Sequence, residues 1–238
     1  MARVSPFIFG IFAAAVSHAA TVNWNAATNT GLIDNGGAAL GAGNLVRIGY
    51  FDSALGATPT LLNAAITTNA LTQSGISILN ANFHEFANTT IGTGFGGNAG
   101  GFNRASTPLY SSLPGFLPNS QIYFWAFKSS NLSDPLNTVT QTAIAYVPFA
   151  SNSQWQFPAT DFSPPSVSIG LANLSDPNSL FQAGSYMSGS SASLTPPFPA
   201  NNHAVKLATV TPVPEPSTLT FFAMATLGAA ARRRRKRK

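Results

Sequence analysis

The sequence predicts a mainly β protein: an antiparallel β-sandwich or jelly-roll-like domain with one short helix, flanked by an N-terminal signal helix and a C-terminal hydrophobic helix. Three observations predict it. Roughly eight or nine short apolar or alternating runs are separated by clusters of Gly, Pro, Asn, Asp and Ser, the spacing of sandwich strands. Charged residues make up only 8% of the chain, about a third of the usual ~25%, so surface polarity must come from Asn, Ser, Thr, Gln and backbone. The 18 Phe supply core material, which separates this composition from that of a disordered chain. A β-solenoid is disfavoured because no regular period of about 20–30 residues appears.

The first 19 residues read as a removable signal peptide. Arg3 gives a positive start, Val4 to Val16 an apolar stretch, and Ser17-His18-Ala19 small residues before a cleavage site between Ala19 and Ala20. The apolar stretch is too short for an ordinary membrane span of ~20 residues. Residues 20–211 then form the β-rich domain. Thr21 to Asn25 alternates around Trp24 and reads as a first strand. Asp34-Asn35-Gly36-Gly37 is a turn. Asn44 to Phe51 reads as a well-buried strand.

Thr58-Pro59 has the form of a helix start, a Thr cap followed by Pro at the first helical position, and a helix is expected through Gln73. Gly75 to Leu79 is expected to be a short strand. Phe83 to Phe86 reads as a strand or turn edge, and Gly92 to Gly101 as a glycine-rich loop. Gln121 to Lys128, with six consecutive apolar or aromatic residues, is the clearest strand. Val139 to Val147 is its expected antiparallel neighbour. Ser153 to Phe157 alternates with Trp155 and Phe157 on one face and reads as another strand. Val167 to Ile169 and Phe181 to Met187 are weaker strands, and His203 to Val210 is the last. Asn131-Leu132-Ser133-Asp134-Pro135 recurs as Asn173-Leu174-Ser175-Asp176-Pro177; Asn, Ser and Asp before Pro are ordinary turn chemistry, and the flanks do not align.

Little in this domain points to catalysis. The absence of Cys excludes disulfides, thiolate nucleophiles and Cys-ligated metals. His84-Glu85 is the one adjacent acid/base pair, and it fails the zinc-protease pattern because Phe86, Ala87 and Asn88 follow. The glycine tract lacks both the following helix and the Gly-Lys-Ser/Thr of a phosphate cradle. The seven acidic residues are scattered, and no spacing recommends a catalytic pair or a metal site, although Asp134 and Asp176 sit in loops where calcium is conceivable. Trp24, Trp125 and Trp155 are expected in the core, with sugar stacking by an exposed indole as the alternative. The expectation is a non-enzymatic domain without cofactor or metal; a carbohydrate-binding module comes second and an extracellular hydrolase third.

The net charge of +5 belongs to the chain's ends. Arg3 and the run Arg232, Arg233, Arg234, Arg235, Lys236, Arg237, Lys238 hold eight of the twelve Lys and Arg. The remaining four face seven Asp and Glu, so the segment between is slightly acidic and makes no claim on nucleic acid. Before the basic run lies an uncharged stretch from Leu219 to Ala231 that includes Phe221, Phe222 and Leu227. As a helix it would be about 20 Å long, a marginal span of a ~30 Å hydrocarbon core. The basic cluster would stay cytoplasmic, with the domain on the outer side of the inner membrane. Ahead of it, Pro214-Glu215-Pro216 combines two prolines that fix φ and remove amide donors, leaving the tripeptide extended and open to an enzyme's groove.

Val213-Pro214-Glu215-Pro216-Ser217-Thr218, an apolar helix and a terminal Arg-rich cluster together resemble the PEP-CTERM sorting segment of exported bacterial proteins. The resemblance covers residues 212–238. It implies processing at or near Pro214-Glu215-Pro216 by an exosortase, a transpeptidase-like membrane protease. It further implies a bacterium that makes exopolysaccharide, and exopolysaccharide as a further partner beside the enzyme and the inner membrane. The expected route is export, transient anchoring, then the cell surface or extracellular matrix. The apolar run is shorter than the family's usual span, which suits presentation of the tripeptide better than permanent anchoring.

Overall fold

A computed structural model describes residues 21–26, 30–107, 113, 115, 117–160, 166–188 and 203–212. The signal segment, the Pro214-Glu215-Pro216 tripeptide, the apolar run and the basic tail lie outside the described residues. In chain order the strands are β1 (Val22–Ala26), β2 (Thr30–Ile33) and β3 (Leu45–Phe51), followed by the helices α1 (Pro59–Ala70) and α2 (Gln73–Ala81). Then come β4 (Phe83–Thr90), β5 (Phe102–Ser106), β6 (Tyr123–Ser129), β7 (Val139–Tyr146), β8 (Val167–Gly170), β9 (Leu180–Ala183), β10 (Ser185–Met187), β11 (His203–Lys206) and β12 (Ala208–Thr209).

The centre is an antiparallel sheet in the order β12-β7-β6-β3-β4, with β9 sharing β7's outer edge with β12. Both faces are covered, which is why β6 reads as an unbroken apolar run. Tyr123, Trp125 and Phe127 project to the helix side, where Trp125 meets Phe83 at 5.1 Å and Phe51 at 5.4 Å between ring centroids. Phe124 projects the other way and stacks on Phe102 of β5 at 6.1 Å. On that second face lies the small sheet β5-β1-β8, in which Trp24 packs on Phe102 at 5.2 Å. Phe86 and Phe157 close the same layer at 4.8 Å. A third sheet, β10-β11-β2, flanks these layers. The fold is mainly β, with mostly antiparallel pairing, as predicted; two pairs, β1 with β8 and β2 with β11, are parallel.

Several elements differ from the sequence expectation. There are two helices among the described residues where one was expected. Gly75 to Leu79 is helix, not strand: Thr72 caps α2 by accepting from Gly75 N at 3.1 Å, and Ile76 and Leu79 are buried at helical spacing while Ile78 faces solvent. Ser153 to Phe157 is not a strand. Asn152 Oδ1 accepts from Gln154 N at 3.0 Å and winds Ser153–Trp155 into a single 3-10 turn, from which Trp155 and Phe157 still enter the core. The last expected strand breaks at Leu207, and its halves join different sheets. β2 and β5 were not legible as strands: β2 contains a glycine, and β5 has one large apolar side chain, Phe102. The glycine tract is a chain of turns between β4 and β5, and Gly92, Gly94, Gly96, Gly97 and Gly100 all have φ between +63° and +93°, which explains why glycine recurs there.

Candidate functional site

The main sheet has two ends with different contents. The register sets Phe51 opposite Phe83, Gly49 opposite Tyr123 and Phe124 opposite Ala145. The last residues of β3 and β7 and the first of β4 and β6 therefore share one end. A cleft of about 420 Å³ opens there. It is lined by Tyr50, Phe51, Asp52, Leu62, Gln121, Tyr123 and Phe149, among others, and bounded by Thr58 and Pro59 where α1 begins. That volume lies in the range of small-molecule pockets, and the lining is mostly apolar.

The polar groups around the cleft are engaged in the fold. Asp52 accepts from Ala54 N at 2.7 Å and from His84 Nε2 at 3.1 Å, and these bonds, the backbone one first, hold its carboxyl below the usual range. His84 stacks on Tyr50 at 4.7 Å. Tyr50 donates to the Gly115 carbonyl, and burial raises its pKa. Gln121 Nε2 donates to the carbonyls of Val147 and Trp155 at 2.9 Å each, while its Oε1 accepts from Phe149 N at 3.0 Å. Burial drives the neighbouring Tyr123 well above the ordinary tyrosine range. These interactions fasten the cleft wall.

The other residues singled out in the sequence are dispersed. Glu85 forms an ion pair with Arg47 on the helix side of the sheet, while its neighbour His84 bonds Asp52, so the adjacent His84-Glu85 serves two separate contacts. Trp24, Trp125 and Trp155 are all buried. Asp134 accepts from Asn137 Nδ2 at 3.0 Å, and Asp176 accepts from Asn178 N at 2.8 Å. The repeated pentapeptide takes two different structures. Asn131 Oδ1 accepts from Ser133 N in the β6–β7 loop, whereas Asn173 lies in the 3-10 turn Leu171–Ser175 and accepts from Gly170 N. No group of three or more His, Asp or Glu able to hold a metal occurs among the described residues. The cleft itself was not foreseen. Its Asp52–His84 contact spans 32 residues and follows only from the pairing of Tyr50 with His84.

At the opposite end of the sheet lie the last described residues. β12 lays Ala208 against Thr142 and Thr209 against Gln141. Val210 N then donates to Thr140 O at 2.8 Å, and Thr211 N to Leu71 O at 2.8 Å. Gln73 N returns a bond to Thr211 O at 3.1 Å. The chain is therefore tied down as far as Thr211, and Pro214 follows three residues later. Residues 212–236 match the family model of the PEP-CTERM protein-sorting motif. The chain carries a PEP-CTERM sorting motif. The motif starts at Pro212, next to Thr211, which among the described residues is the last one bonded to the domain. A PEP-CTERM motif implies export with membrane transit before release, exosortase processing, and sorting to the cell surface. No curated protein and no solved structure matches the chain. No described helix is long and apolar enough to cross a membrane.

Proposed function

We propose that the protein is a non-enzymatic component of the cell surface or extracellular matrix, held briefly in the inner membrane by residues 219–231 and released by processing at or near Pro214-Glu215-Pro216. The observation that supports this reading is the sorting motif at residues 212–236, which begins next to Thr211, the last of the described residues bonded to the domain. The chemistry of the domain supports the non-enzymatic part. Arg47 with Glu85, Lys128 with Asp34 and His84 with Asp52 are engaged with one another within the domain. Sugar stacking by an exposed indole finds no support, because the three Trp are in the core.

The sorting part is tested by changing the tripeptide in the full-length chain. Glu215→Ala, or Ala at both Pro214 and Pro216, is expected to leave unprocessed protein in the inner-membrane fraction, while the wild type appears at the surface or in the medium. Wild-type release of both variants would sink the reading. Pull-down of the released domain with exopolysaccharide from the producing cells tests the matrix assignment.

A further inference from the structure

The cleft at the end of the main sheet takes its shape from bonds within the fold. Between β3 and α1, Asp52 accepts from Ala54 N, Gly56 N donates to Ser53 O at 3.0 Å, and Thr58 caps the helix. Just ahead of β6, Gln121 spends its amide on the carbonyls of Val147 and Trp155 and on Phe149 N. Ser120 Oγ donates to Leu117 O at 2.7 Å. The lining is mostly apolar, and most of the polar groups in it already have partners. A ligand that needs many hydrogen bonds, such as a sugar, therefore finds few here.

Tyr123 is the exception. It lines the cleft at only 5% exposure and packs on Phe51 at 5.2 Å and Tyr146 at 4.7 Å between ring centroids. Among the described residues its hydroxyl has no hydrogen-bond partner, whereas the Tyr146 hydroxyl accepts from Asn63 Nδ2 at 2.7 Å. A polar group so buried is normally bonded, and an acceptor brought by a ligand would supply the missing bond. Burial keeps the Tyr123 hydroxyl protonated, so it has a proton to donate. The one formal charge among the described lining residues is the Asp52 carboxylate, whose side chain is 41% exposed. It already accepts from Ala54 N and His84 Nε2, so it repels an anion without calling for a cation.

We propose that the cleft binds a small, uncharged, mostly apolar molecule carrying a hydrogen-bond acceptor, with its apolar body against Phe51, Leu62 and Phe149 and its acceptor on the Tyr123 hydroxyl. The wall selects each property in turn. The volume of about 420 Å³ sets the size, the apolar lining the body, Tyr123 the acceptor, and Asp52 the lack of negative charge. Such binding needs neither catalysis nor the sorting segment, and it stands whichever way residues 212–238 are processed.

Benzophenone serves as the probe, an uncharged diaryl ketone whose carbonyl is its one acceptor and which attaches to nearby C–H bonds under near-ultraviolet light. The full-length chain in detergent is irradiated with it, and the attachment sites are read by peptide mass spectrometry. Attachment is expected to concentrate on the cleft segments 57–62, 117–123 and 148–150. It should fall several-fold in Tyr123→Phe, the effect of one lost hydrogen bond, and vanish in Ala57→Trp, which fills the cleft from an exposed position. Benzophenone analogues bearing a carboxylate or an aminomethyl group should attach several-fold less, because each brings a charge against an apolar wall. In the wild type, excess dicyclohexyl ketone should suppress attachment several-fold more than excess dicyclohexylmethane, which lacks the acceptor; this comparison needs no variant to fold. Attachment spread evenly over the chain, undiminished attachment in either variant, preference for a charged analogue, or equal suppression by the two competitors overturns the proposal.

Discussion

Arg47 is the most constrained charge in the domain. It points from β3 into the space between the sheet and α2, with its side chain only 7% exposed. Its guanidinium donates to Glu85 and, at 2.7 Å, to Asn80 Oδ1, and lies 4.7 Å from the Phe83 ring centroid and 5.4 Å from that of Trp125. Glu85→Ala would leave this buried cation without its counter-ion, and loss of one partner of such a pair typically costs about 3 kcal/mol. Urea unfolding of the variant should show that loss as a lower midpoint with little change in slope. Asp34 gives a pH signature. Lys128, donating at 2.7 Å, holds its carboxyl below the ordinary value. A carboxyl lowered in the folded state stabilises the fold above its unfolded pKa of about 3.9, and the contribution is lost as pH falls through the folded value. Between about pH 6 and pH 3 the wild type should therefore lose more stability than Asp34→Asn. Neither partnership was legible in the sequence. Asp34 stood out only as a turn residue, and Lys128 lies 94 positions away.

At the level of elements, local signals succeeded where they were autonomous. The Thr58 cap and Pro59 begin α1 as expected, with Thr58 Oγ1 accepting from Leu61 N at 3.3 Å. β3 and β6 form where apolar runs predicted them, because burial on both faces demands such runs, and β7 where alternation predicted it. α2 shows why the rest failed. Gly75 has low helix propensity, and Ile76-Ser77-Ile78 alternates like a strand. Tertiary packing overrides both, since a Cβ at Gly75 would collide with the Asn69 carbonyl at the end of α1. The glycine lets the two helices turn tightly against each other. Gly75→Ala, favourable by helix propensity alone, should instead destabilise by about 1–3 kcal/mol, read from the thermal midpoint. A stabilised variant would show that the helices can move apart at little cost.

For the whole molecule, the C-terminal segment of the domain has two duties. Leu207 and Val210 are buried, and β12 completes the edge of β7 that it shares with β9. A chain ending after Pro212 should unfold as cooperatively as the domain of the full-length protein. Ending it after Lys206 removes two buried apolar side chains and should cost roughly 3–6 kcal/mol in chemical denaturation. Processing beyond Thr211 would therefore release an intact domain. The sequence by itself determined the mainly β class, the one autonomous helix start, the Trp core and, through residues 212–236, the sorting motif. These are local properties, carried by composition, alternation or contiguous residues. Only the tertiary structure decided the parallel pairs, the second helix, the Arg47–Glu85 and Lys128–Asp34 ion pairs, the His84–Asp52 contact, the cleft, and the placing of cleft and Thr211 at opposite ends of one sheet. Each depends on strand register, which joins residues far apart in the chain and leaves no local trace in their identities.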